Sequence, residues 1–121
     1  MGQELCEYFI VPEIKSRGMD EHTFIRITVV KNLLNISNNV SMDYFANSIF
    51  PLYLNLSQDK EERVRKSCAD VVADIAKVSP LDRLATKLQQ IYINYTQDAT
   101  SKLVRGTAFS NIGPFIAAFK D

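Results

Sequence analysis

Asp59-Lys60-Glu61-Glu62-Arg63-Val64-Arg65 reads as a turn running into a helix, and it recurs along the chain. An aspartate suits the turn because its short carboxylate accepts the backbone N–H groups that a starting helix leaves unpaired. Thirty-nine residues earlier stands Asp20, with Arg26 six positions on, just as Arg65 lies six after Asp59. Thirty-nine residues later stands Asp98, with Arg105 seven positions on. Pro12 and Pro51 keep the same 39-residue step. A period near 40 on a helical pattern marks helical hairpins stacked into a solenoid, each too thin to bury both of its faces alone.

Superposing the chain on itself at this step aligns apolar residues in rows. The first helix of each pair gives Cys6/Phe45/Leu84, Ile10/Ile49/Leu88 and Ile14/Tyr53/Tyr92. The second gives Ile25/Val64/Val104, Val29/Cys68/Ala108, Leu33/Val72/Ile112 and Ile36/Ile75/Phe115. Steps of three or four between rows trace one face of a helix, and strand-like alternation is absent. Helices are predicted at about 4–17, 21–37, 42–57, 61–78, 81–96 and 101–119, forming one domain of three repeats, 4–38, 41–79 and 80–119.

Local signals mark the ends. Asp59 with Glu62 reads as a capping box, Ser79-Pro80-Leu81-Asp82 as an N-cap followed by a proline at the first helical position, and Asp20 and Ser41 as further caps. Pro12 and Pro51 each remove a helical hydrogen bond and are expected to bend their helices, whereas Gln90 leaves the third repeat straighter. Gly113-Pro114 should bend the last helix near its end. Glu13 and Arg17 stand where later repeats carry Leu52/Ile91 and Leu56/Tyr95, so the N-terminal face either meets solvent or slips in register. Phe115, Ile116 and Phe119 read as an uncapped C-terminal face, and together the two ends lead us to expect a piece of a longer array.

The bulk composition excludes several classes of function. The chain has 121 residues, 46% of them hydrophobic, enough for a real core. Lys+Arg and Asp+Glu both number 14, so there is no basic excess for a phosphate backbone or an anionic membrane surface. No apolar run reaches the roughly 20 residues of a membrane span, and the acidic opening Gln3-Glu4-Leu5-Cys6-Glu7 is not a secretory signal. Cys6 and Cys68 sit at apolar helix positions, as small hydrophobes in a reducing compartment.

Chemistry-bearing constellations are few. His22, the single histidine, lies at a helix start beside Asp20 and Glu21 and reads as a solvated first-turn residue. Cys6, His22 and Cys68 fall on three different helices with no metal-ligand spacing, and the four glycines make no phosphate loop. The repeated Asp20, Asp59 and Asp98 with Arg26, Arg65 and Arg105 fit a structural ladder, one repeat's aspartate meeting the next repeat's arginine. The inter-helix turns at 18–21, 57–61 and 96–101 should share one edge of the stack and form a ridge.

The proline of the first helix, the aspartate at the turn, the Val-Arg opening of the second helix (Val64-Arg65, Val104-Arg105) and the 39-residue period resemble HEAT repeats over nearly the whole chain. The subtype with both Asp and Arg is similar to phosphatase 2A scaffold subunits. The stretches 64–71 and 103–116 resemble regulatory subunits of protein phosphatase 4. Departures are Ile25-Arg26 in the first repeat, the missing proline in the third and one extra residue in the third turn. The resemblance implies an all-α solenoid of three HEAT-like hairpins that is not an enzyme and needs no cofactor. It implies a turn ridge gripping a serine/threonine phosphatase catalytic subunit, and further regulatory subunits, in the cytoplasm or nucleus. Carried onto this chain, the ridge contacts are Met19, Asp20, Gln58, Asp59, Lys60, Gln97 and Asp98. The competing expectation is a HEAT adaptor in another system, such as transport or complex assembly.

Overall fold

The computed structural model describes residues 2–120, and all regular structure among them is helical. Helix α1 spans 2–17, α2 Thr23–Ser37, α3 42–57, α4 62–78, α5 Leu81–Thr96 and α6 102–118. They pair as α1–α2, α3–α4 and α5–α6, three hairpin layers of an α-solenoid. The second helices α2, α4 and α6 pack most extensively on one another and form its spine. No helix among the described residues is long and apolar enough to cross a membrane.

The apolar rows line this core, and they fail only at the two ends. Phe45, Ile49, Tyr53, Val64, Cys68, Val72 and Ile75 of the middle layer are sealed from water. Ile10 and Ile112 occupy matching rows but are exposed, because each belongs to an end layer with a neighbour on one side only. Glu13 and Arg17 pair with each other across one helical turn at 3.1 Å on the solvent face of α1. Phe115 departs from its expected exposure. It is buried, stacked on Tyr92 at 4.3 Å between ring centroids, with Phe119 edge-on at 5.0 Å. Only Ile116 of that trio is exposed. Cys6 and Cys68 are both buried free thiols.

The repeated prolines act through a widened turn. Residues Cys6–Ile10 and Phe45–Ile49 form π turns, in which the Val11 and Phe50 amides reach back five residues to the carbonyls of Cys6 and Phe45. Each π turn ends just before its proline. The extra residue gives the pyrrolidine ring room beside the preceding turn, so the helix continues through it. Helix α5, with Gln90 at that position, is uninterrupted.

The second helices break for a different reason. Helix α4 is interrupted at Val71 and α6 at Asn111, positions 40 residues apart. The Tyr53 hydroxyl donates to the Cys68 carbonyl at 2.7 Å, and the Tyr92 hydroxyl donates to the Ala108 carbonyl at 2.7 Å. Val71 and Asn111 then close short bonds onto those same carbonyls, tightening the helix there. The first repeat supplies the control. Ile14 stands in the tyrosine's place, and α2 runs unbroken. The break in α6 therefore falls at mid-helix, ahead of Gly113-Pro114 and not near the end.

Helix starts also differ from the sequence expectation. The N-caps are His22, Glu61, Pro80 and Ser101, so neither the Asp59 capping box nor a Ser79 cap forms. Asp59 instead accepts the Glu61 amide at 2.9 Å inside the turn, and the Ser79 hydroxyl donates back to Ile75. Asp20 is engaged in the same way as Asp59, accepting the His22 amide at 2.8 Å, so both aspartates brace the turn ahead of the helix. Ser41 does cap its helix, accepting from Tyr44.

The Tyr53 hydroxyl makes two bonds in the core, since it also accepts from Tyr95 at 2.9 Å. Burial pushes both phenols well above their ordinary pKa and keeps them protonated. We expect Tyr53→Phe to cost about 1–3 kcal/mol, because it strands a buried donor and a buried carbonyl together. Tyr92→Phe, which breaks one bond in an end layer, should cost about 1 kcal/mol. Chemical denaturation of the two variants checks the order.

Candidate functional site

The turns between paired helices lie along one edge, and an arginine reaches across each junction there. Arg26, Arg65 and Arg105 each occupy the fourth residue of their helix or helical segment. A helical side chain leans toward the N-terminus, so each guanidinium is carried back over its own turn. Arg26 Nη1 donates to the Asp20 carbonyl at 2.8 Å and Arg65 Nη1 to the Asp59 carbonyl at 2.8 Å. Arg105 Nη1 makes the same bond to Asp98.

The other side of each fork faces the neighbouring layer. Arg26 donates through Nε and Nη2 to both carboxylate oxygens of Asp59, at 2.7 and 3.0 Å. Arg65 does the same with Asp98, at 2.8 and 3.4 Å, and its Nη2 also meets the Thr100 hydroxyl at 2.8 Å. The direction is the reverse of the sequence expectation: each arginine meets the aspartate of the following repeat, because that carboxylate sits over the helix start of the layer before it. Asp20 therefore meets no arginine side chain; its carboxylate accepts the His22 amide and lies 2.8 Å from His22 Nδ1. Arg105 forms no ion pair among the described residues.

These rungs are largely enclosed, with side-chain exposures of 8% and 11% for Arg26 and Asp59 and 12% for each of Arg65 and Asp98. Among the described residues no buried side-chain nitrogen or oxygen is left without a partner. That completeness makes an enclosed pair tolerable, since removing one partner strands a charge. Burial raises the Asp98 carboxyl. The hydrogen bonds and charge of Arg65 together with the Thr100 amide and hydroxyl outweigh it, leaving the group below the ordinary carboxylate value. The Asp20 carboxyl is also lowered, chiefly by the His22 amide.

The ridge residues thus fall into two groups. Met19 is 80% exposed, and Gln58, Lys60 and Gln97 are exposed beside it, free to touch a partner. The carboxylates of Asp59 and Asp98 are spent on the ladder. An open groove of about 410 Å³ between the first two turns is bordered by Met19, Asp20 and Lys60. Sequence reasoning missed Ser101, whose hydroxyl donates to Glu62 at 2.6 Å across the second junction while accepting from Val104. Nothing in the repeat pattern marks it, since at the 40-residue step of the last helix Glu62 aligns with Lys102. Among the described residues no three His, Cys, Asp or Glu side chains gather to hold a metal ion.

Each of Arg26→Ala, Asp59→Ala, Arg65→Ala and Asp98→Ala should lower stability by about 2–4 kcal/mol, and the double variant of a pair should cost little more than its worse single. Urea denaturation measures both, and unchanged midpoints would remove the ladder's structural role. A carboxyl lowered on folding stabilises above its unfolded value of about 4 and loses that contribution as pH falls further. Acidification below about pH 4 should therefore weaken the stack, and Asp98→Asn should flatten that dependence.

Residues 49–79 match the HEAT repeat family model, covering most of the middle layer. The whole chain is similar to serine/threonine-protein phosphatase 4 regulatory subunit 1 of Homo sapiens, Mus musculus and Rattus norvegicus. The identity is 28% over 120 residues, which cover 98% of this chain and 12% of each relative. The chain thus spans about an eighth of the length of those relatives. Its paired helices, turn aspartates and stacked layers are those of an all-α solenoid of three HEAT-like hairpins.

Proposed function

We propose that this chain is a non-catalytic scaffold or regulatory element that binds a serine/threonine phosphatase catalytic subunit of the 2A/4 type through its turn ridge. The observation that carries this is the similarity to phosphatase 4 regulatory subunit 1 along almost the entire chain. The division of labour on the ridge supports it. Rigid rungs hold the turns in register, and exposed Met19, Gln58, Lys60 and Gln97 present an apolar, amide and cationic surface to a partner. Holding a partner on a pre-set surface limits the ordering entropy lost on binding. The metal ions and general acids of phosphate ester hydrolysis belong to the partner in this reading. A cytoplasmic or nuclear location goes with it.

Biolayer interferometry of the chain against purified phosphatase 4 and phosphatase 2A catalytic subunits tests the proposal. Saturable binding to one of them is expected. Lys60→Glu, an exposed charge reversal remote from the core, should slow association and weaken binding by about tenfold or less, as rim charges do. Absence of binding to both subunits would overturn the reading and leave the fold untouched.

A further inference from the structure

One row of the second helices is open to water in every layer. Phe24 of α2, Arg63 of α4 and Leu103 of α6 are each the second residue of their helix or helical segment. Phe24 is exposed by 70% and Leu103 by 46%, and Arg63 is exposed as well. Arg63 belongs to the middle layer, which has a neighbour on each side, so the row opens sideways and its openness does not arise at an end of the stack. Asp70, Asp74 and Lys77 continue the same open face along α4.

The row alternates in chemistry from layer to layer. Phe24 is backed one turn on by half-buried Ile27. Leu103 stands beside Gly106, where an added Cβ would meet nothing within 4 Å, so a ligand can approach the α6 backbone closely. Between these two apolar pads, Arg63 forms no ion pair among the described residues. Lys66, one turn on, is neutralised by Asp70 at 2.8 Å. The complement of this row is an apolar group, an anion and an apolar group in line.

Spacing selects the form of that complement. Packed helices stand about 8–10 Å apart. A polyproline II chain advances about 9 Å in each turn of three residues, so residues i, i+3 and i+6 fall on one face at the spacing of the layers. A β-strand returns to the same face every roughly 7 Å, and two turns of an α-helix advance about 10.5 Å.

We propose that this row docks a proline-rich segment of another protein in the polyproline II form, with apolar side chains on Phe24 and Leu103 and a carboxylate, three residues from each, on Arg63. Such a segment is extended before it binds, which limits the ordering entropy lost, and its proline rings pack on exposed aromatics such as Phe24. The row shares no residue with the turn ridge, and the proposal is independent of what the ridge binds.

Fluorescence anisotropy of the labelled peptide Leu-Pro-Pro-Glu-Pro-Pro-Leu with the full 121-residue chain tests it. Saturable binding that weakens with added salt is expected. Arg63→Glu should weaken binding by about tenfold or more. A peptide with lysine in place of glutamate should fail on the native chain and bind the Arg63→Glu chain, a recovery that an unfolded variant cannot give. Moving the glutamate one place along the peptide should weaken binding, because the carboxylate then leaves the face that meets Arg63. Gly106→Gln, which suits a helix better than glycine, should weaken binding without lowering the thermal midpoint. Absence of saturable binding overturns the proposal, as does binding indifferent to the charge reversal or to the place of the glutamate, or a lysine peptide that fails to recover.

Discussion

The two-pronged bond from an arginine of one layer to the aspartate of the next is the constraint on which the rest of the structure depends. A helical hairpin buries one face and needs a neighbour for the other, and apolar contact alone does not fix where that neighbour sits along the stack. A planar guanidinium meeting a carboxylate through two parallel bonds fixes position and orientation together. Each arginine also holds the carbonyl of its own turn, so the rung ties turn to helix and layer to layer at one point. The second junction carries extra ties, from Arg65 to Thr100 and from Ser101 to Glu62.

A second, wholly buried layer of polar bonds runs through the core. Tyr95 donates to Tyr53, and Tyr53 donates to the backbone of α4. An aromatic ring supplies apolar contact in such a place while its hydroxyl must find a partner. Here the partner is a helix carbonyl, and the helix tightens and turns at that point. The shape of the spine is therefore written partly in side chains of the opposing helix.

Much of this was legible in the sequence. The 39-residue step of Asp20, Asp59 and Asp98 gave the layers, and the apolar rows gave the faces, because repetition makes every position testable against its copies. The illegible parts share a physical cause. A row reading Ile14/Tyr53/Tyr92 looks uniform on a hydropathy scale, yet two members carry a hydroxyl that redirects backbone bonding and the third does not. Likewise Asp59 near Glu62 has the spacing of a capping box, but its carboxylate is taken by the Glu61 amide inside the turn and by Arg26 of the layer before. The direction of the ladder was read backwards because spacing along a chain is blind to which neighbour lies above. The ridge contacts were legible as candidates only; geometry then separated Lys60 and Met19, open to solvent, from Asp59 and Asp98, already engaged.

The rungs all lie along a single edge of the stack. Short, charge-assisted bonds resist lengthening far more than the sliding apolar contacts between helices do. The turn edge, with its enclosed two-pronged rungs, therefore resists spreading more than the opposite edge, where the layers are tied by single bonds, Tyr44 to the Glu7 carbonyl at 2.9 Å and the exposed pair of Arg83 with Asp43 at 3.0 Å. A bend of this solenoid is expected to change the spacing between layers more on that far side than between Met19, Lys60 and Gln97.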